Sequence, residues 1–199
     1  NLLAQGYWQY LQNNRWKFYN RTNTVDFKKE DIATWTIDDF HQKITALFQQ
    51  SLSNKKLLQQ TQLNTYDPVI EKGNVRNLRP TLYDLLAHRA IDYFESSENS
   101  ITKPAEAFEL DEAIAFAPAI QFAAHTFKTK DTLSKEYQAL LLYQEILRFH
   151  SGDAKPDALI DADIQRISFV NNHTTMQNKT ELYRSALEKI IAVHGNYPA

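Results

Sequence analysis

Apolar residues recur three and four positions apart along most of this 199-residue chain, the period of helices that bury one face. Leu3, Tyr7, Tyr10, Leu11 and Phe18 lie near one stripe. Ile37, Phe40, Ile44, Leu47, Phe48 and Leu52 form a second, and Leu82, Leu85, Leu86, Ala90, Tyr93 and Phe94 a third. The scarcity of turn residues agrees with this. There are 4 Gly and 6 Pro, where a sandwich or barrel of many short strands needs turn residues every few positions. Gly6, Gly73, Gly152 and Gly195 stand far apart, so no glycine cluster cradles a phosphate. The expected fold class is all-α, an array of antiparallel helical hairpins of the α-solenoid or tetratricopeptide-like kind.

The absence of Cys removes disulfides, thiolate metal sites, cysteine nucleophiles and thioesters together. With 22 basic and 24 acidic side chains the net charge is −2, unlike the basic excess of most nucleic-acid binders. The longest nearly apolar run, residues 113–124, contains Pro118 and Gln121. It is far shorter than the roughly 20 residues that span a bilayer. Mean hydropathy is −0.52, a globular value. The chain opens on Asn1 rather than Met and closes on Tyr197-Pro198-Ala199; it reads as one helical domain or array, 1–199, cut from a longer protein.

Boundary signals place the helices. The first covers about residues 2–20. Thr36 is the N-cap of the second, with Asp38 and Asp39 at the positive end of its dipole. Residues 54–77 are less regular, with short helical turns around Leu57 and Val69. Pro80 suits a first helical position, opening a helix over 81–96. Residues 96–104 look like a linker and a sub-boundary near 97–104. The stretch 108–110 suits a very short strand. Asp131 or Thr132 caps a helix to His150 that Ser151-Gly152 ends. Pro156 opens another with Leu159, Ile160, Ile164, Ile167 and Val170 inward. Thr180 and Glu181 open the last, which runs to His194 with Leu182, Ala186, Leu187, Ile190 and Ile191 inward. Residues 146–152 echo 190–196 at an offset of 44, a length suited to one two-helix repeat.

Two arrangements invite a chemical reading. Asp84, His88 and Asp92, at steps of four, share one helix face and set a His between two carboxylates, a general-base or ligand geometry. The plainer reading is a helix face held by hydrogen bonds and ion pairs, and it is preferred because no second ligand set accompanies the triad. Asp153, Asp157, Asp161 and Asp163 gather around Pro156. Hard cations favour such oxygens, but the order of ligands in a calcium loop is missing, and acids at a helix start are explained by the dipole. No H-E-x-x-H or G-x-S-x-G occurs, and the six His are scattered. The sequons at Asn20, Asn172 and Asn178 are chance matches in a chain with 14 Asn and 14 Gln. The aromatics Tyr7, Trp8, Tyr10, Trp16, Phe18 and Tyr19 are read as a buried helix seam rather than a stacking platform. No catalytic, cofactor-binding or metal residue is assigned, and no cofactor is expected.

Two longer segments are distinctive when read whole: Trp8-Gln-Tyr-Leu-Gln-Asn-Asn-Arg-Trp-Lys-Phe-Tyr-Asn-Arg-Thr22 with Asp31-Ile-Ala-Thr-Trp35, and Asn77-Leu-Arg-Pro-Thr-Leu-Tyr-Asp-Leu-Leu-Ala-His-Arg-Ala-Ile91. Together they resemble the N-terminal helical region of the large bacterial alpha-2-macroglobulin-like proteins, over most of residues 2–95 and more loosely beyond. The resemblance implies an exported protein of the periplasm or outer-membrane surface, often lipid-anchored. In that family the region precedes β-sandwich domains and a macroglobulin body that traps or inhibits proteases, in some members through a thioester. Arg79, Pro80, Tyr83, Asp84, His88 and Arg89 match its signature. Their implied role is structural: Pro80 starts the helix, and Tyr83, His88 and Arg89 lock the preceding segment by hydrogen bonds. The expected function is a non-catalytic scaffold whose partners are the protein's own downstream macroglobulin-type domains or another protein, with no nucleic acid and no membrane insertion. A free-standing tetratricopeptide-like peptide binder is the alternative; a metal-dependent enzyme built on Asp84, His88 and Asp92 comes last.

Overall fold

A computed structural model describes residues 1–18, 30–96, 105–195 and 197. Among them are eight α-helices, four short 3-10 turns and no strand. The expected sub-boundary near 97–104, Asn20 and Tyr19 lie outside the described residues.

Helix α1 (Leu2–Phe18) packs on α2 (Ile37–Ser51). Its buried positions are Ala4, Leu11 and Phe18, seven apart and therefore on one side after every two turns. Leu3, expected inward, is exposed; small Ala4 takes the contact instead. The seam is aromatic, as expected: Tyr7 stacks on Trp35 at 5.4 Å, Phe18 meets Phe40 edge-on at 5.0 Å and Trp8 meets Tyr93 edge-on at 5.3 Å. Trp16 is the exception, exposed beneath the Lys17 ammonium. Thr36 caps α2 as read from sequence. Its hydroxyl accepts from the Asp39 N–H at 3.2 Å, and the Asp39 carboxylate accepts from the Thr36 N–H at 2.8 Å, a reciprocal capping box.

Helix α3 (Lys55–Gln60) covers the turn expected around Leu57. The next 3-10 turn is Leu63–Tyr66, earlier than the one expected around Val69, whose side chain is exposed. Pro80 is not the first residue of α4 (Leu82–Glu95). Thr81 is the N-cap, closing a second capping box with Asp84. Pro80 stands one residue outside, where its carbonyl accepts from the Leu63 N–H at 2.9 Å. The Leu82 N–H donates to the Thr61 carbonyl at 2.8 Å. These bonds, around an isolated antiparallel bridge between Gln62 and Thr81, tie the irregular segment to the start of α4. The buried face of α4 carries Tyr83, Ala87, Ala90, Ile91, Tyr93 and Phe94; Leu82, Leu85 and Leu86 are half-buried flanks.

Residues 108–110 form no strand. The Leu110 carbonyl accepts from the Thr174 hydroxyl at 2.6 Å, and the Phe108 N–H donates to Asp131 at 3.2 Å. That bond occupies Asp131, so α6 (Lys135–His150) starts later than expected, capped by the Ser134 hydroxyl on the Tyr137 N–H at 3.3 Å. Helix α5 (Ala119–Ala124) and α4 pack on α6. Helix α7 (Asp157–His173), entered at Pro156 as expected, packs on α6 and on α8 (Lys179–His194). The helices share one apolar cluster running from Ala4 in α1 to Ala186 in α8. In α8 only Ala186 is buried. Leu182, Leu187 and Ile190 lie half-buried against the cluster, while Ile191, expected inward, is 66% exposed.

Candidate functional site

The buried polar groups gather where α4 begins, α6 ends and α7 begins. Asp84 is completely buried. One of its oxygens accepts from the Thr81 N–H at 2.9 Å and from the Thr81 hydroxyl at 2.8 Å. The other lies 2.8 Å from His150 Nε2. His150, itself buried, has its Nδ1 2.6 Å from an Asp153 oxygen. The structure thus sets a His between two carboxylates, as the sequence suggested, but it is His150 from α6 and not His88. The one local signal was the His150–Asp153 spacing of three; Asp84 is 66 residues away in sequence, beyond any periodicity.

Asp84, His88 and Asp92 do not act together. Asp84 is taken up by Thr81 and His150. His88 hydrogen-bonds the Gln165 side chain; burial and the Arg79 guanidinium push its pKa down to about 3, so its ring is neutral at pH 7. Asp92 is at the surface. The acidic cluster is divided as well. Asp153 faces His150, and Asp157 accepts from Asn77 at 3.1 Å. Asp161 accepts from Arg79 at 2.5 Å and from Gln165 at 2.8 Å, and Asp163 pairs with Arg166. Among the described residues no group of three or more His, Asp or Glu is placed to hold a metal ion.

Of the signature residues, Arg79 is the effective lock: one guanidinium nitrogen bonds both its neighbour's carbonyl and Asp161 of α7. Tyr83 does not lock the preceding segment by a hydrogen bond, as expected from the resemblance. Its ring lies edge-on to Phe149 at 5.7 Å, and its hydroxyl is buried without a hydrogen-bond partner among the described residues. Burial, aided by Glu145 and Asp84, pushes this phenol up, so it stays neutral. Tyr83→Phe should therefore leave stability unchanged or raise it by about 1 kcal/mol, since an unsatisfied buried hydroxyl costs about that or more. Urea unfolding followed by circular dichroism would measure it, and a loss above 1 kcal/mol would show that the hydroxyl has a partner.

Three further groups were missed by sequence reasoning. Arg166, buried among Asp163, Phe122 and the carbonyls of Ala115 and Ala117, holds the turn before α5 onto α7. Lys135 donates to the Ser96 carbonyl and hydroxyl at 2.6 Å and lies over the Tyr93 ring. His41 Nδ1 lies 2.6 Å from the Tyr93 hydroxyl, and burial pushes its pKa down to about 4. A cleft of about 270 Å³ lies between α2 and α6, walled by Phe48, Leu52, Phe94, Leu141 and Leu142. Two bonds cross it, Gln49 to Gln138 at 2.9 Å and Lys55 to Glu145 at 2.6 Å. No described helix is long and apolar enough to cross a membrane.

Fold and site define a class: an all-helical protein whose buried ionisable groups tie helices to one another. No protein-family model matches the chain, and neither the curated proteins nor the solved structures hold a significant match to it.

Proposed function

We propose that this chain is a non-catalytic helical scaffold, the N-terminal region of an exported bacterial alpha-2-macroglobulin-like protein, docking through α8 onto the macroglobulin-type domains of that protein. The observation that carries the docking reading is a contrast between two helices. Helices α6 and α8 have the same length and begin 44 residues apart, at Lys135 and Lys179, which supports an array of helical hairpins. At matched positions Leu147 of α6 is 1% exposed and Ile191 of α8 is 66% exposed; Phe149 is half-buried and Val193 is 71% exposed. Helix α6 has α4 and α5 packed on it as well as α7. Helix α8 rests on α7 and the Ala113–Phe116 turn, and its outer face has the apolar residues a further element would cover.

The assignment to that family, the periplasmic or outer-membrane location and the protease trapping of the whole protein rest on the two sequence segments. The scaffold role is supported by the buried ionisable groups, which are spent on internal ties.

Hydrogen exchange tests the docking reading. Amides of residues 187–194 should exchange faster in this chain alone than in the longer protein, where docking protects them. Equal exchange in both would overturn it, and capture of unrelated extended peptides by the isolated chain would favour a tetratricopeptide-like binder instead.

A further inference from the structure

The chemistry of one buried histidine carries an inference that does not depend on the scaffold reading. Both ring nitrogens of His150 lie within hydrogen-bond distance of carboxylate oxygens, Nε2 at 2.8 Å from Asp84 and Nδ1 at 2.6 Å from Asp153. A neutral imidazole has one N–H, so one of these contacts would set a nitrogen lone pair against a carboxylate oxygen. Only the doubly protonated ring donates to both, and each bond is then charge-assisted.

The surroundings agree. From α4, Asp84 and the neutral His88 face the ring, and from the α6–α7 turn, Asp153. The acids of α7 are satisfied elsewhere, Asp157 by Asn77 and Asp161 by Arg79. Burial alone would lower the pKa of His150; the two carboxylates outweigh it and the net shift is upward.

We propose that His150 is a pH-operated clamp, closed as an imidazolium that ties the start of α4 to the α6–α7 turn, and opened at the Asp153 arm when the ring loses its proton. Which arm opens follows from exposure. Asp84 is fully buried and among the described residues bonds only Thr81 besides His150, whereas the Asp153 side chain is 39% exposed and finds water when released. Residues 151–156 connect α6 to α7, so opening this arm loosens the root of the α7–α8 pair.

The sign is that of a raised histidine. The clamp contributes its full stability below the unfolded pKa of about 6.5 and loses it as pH rises through the higher folded value.

Nitrogen-15 spectra of the imidazole rings, recorded from pH 5 to 10, test this. The expected result is an imidazolium signature for His150 at pH 6 and a titration midpoint above 6.5. Asp153→Asn, a change at an exposed carboxylate, should keep the fold and lower that midpoint. Hydrogen exchange over residues 151–157, corrected for its intrinsic pH dependence, should speed up above the wild-type midpoint and be faster at neutral pH in Asp153→Asn. A neutral ring at pH 6, a midpoint at or below 6.5, or a midpoint that Asp153→Asn leaves in place would each overturn the clamp, as would exchange in the turn that ignores pH.

Discussion

Arg166→Ala is expected to lower stability by about 3–5 kcal/mol, the cost of leaving the other member of a buried ion pair without its partner. Arg166 is 1% exposed. Its guanidinium bonds Asp163 through Nε and a terminal nitrogen, donates to the Ala115 carbonyl, and donates to the Ala117 carbonyl at 3.0 Å. It also lies 4.6 Å over the Phe122 ring. Alanine strands the buried Asp163 carboxylate and leaves two carbonyls short of donors. Arg166→Lys should recover only part of the loss, because one ammonium cannot fork between a carboxylate and two carbonyls. The double variant Arg166→Met, Asp163→Leu should be less destabilised than Arg166→Ala, since it removes both charges. Urea unfolding of the three variants checks the order. A loss under 1 kcal/mol for Arg166→Ala would mean that Asp163 finds another partner.

The cost arises because Arg166 reaches across elements distant in sequence, and the same distance decided what the sequence could disclose. The two capping boxes show the legible part. Thr36 with Asp39 satisfies N–H groups within one turn, so position alone reveals it. Thr81 with Asp84 follows the same rule, yet Pro80 drew the helix start one residue too early. Its preset φ fits a first turn, but here its carbonyl serves Leu63. At α6 a distant contact overrode local chemistry: Asp131 is a good cap in isolation, but Phe108 claims its carboxylate, and Ser134 caps in its place. Periodicity placed α7 and α8 within a few residues. It could not show that α8 keeps Ile191 in solvent, because the pattern records which face is apolar and not what covers it. For the polar site the limit was sharper. Asp84 stood out beside His88, one turn away, while its true partner His150 comes from another helix. Both ends of such a contact look ordinary until the chain brings them together.

Asp84→Ala should be nearly as damaging, by about 3–4 kcal/mol at neutral pH, and it should also change how stability responds to pH. Two losses combine. The capping box at Thr81 goes, at about 1 kcal/mol, and His150 loses its fully buried counter-charge, the larger part. In the wild-type protein His150 favours protonation, so its contribution is retained at pH 6 and fades as pH rises through the folded pKa. Without Asp84, burial still lowers the affinity of the ring for a proton, and Asp153 alone, at the surface, opposes it. The variant should therefore be penalised most near pH 6, and its deficit against wild type should narrow toward pH 9. Asp84→Asn separates the two losses, because its amide oxygen can still accept from the Thr81 N–H while offering His150 no charge. It should restore about 1 kcal/mol of the alanine loss and keep the same narrowing with pH. Urea midpoints measured at pH 6, 7.5 and 9 for wild type and both variants give the comparison. A deficit constant across that range would show that Asp84 acts through the cap alone and that His150 is neutral in the folded protein.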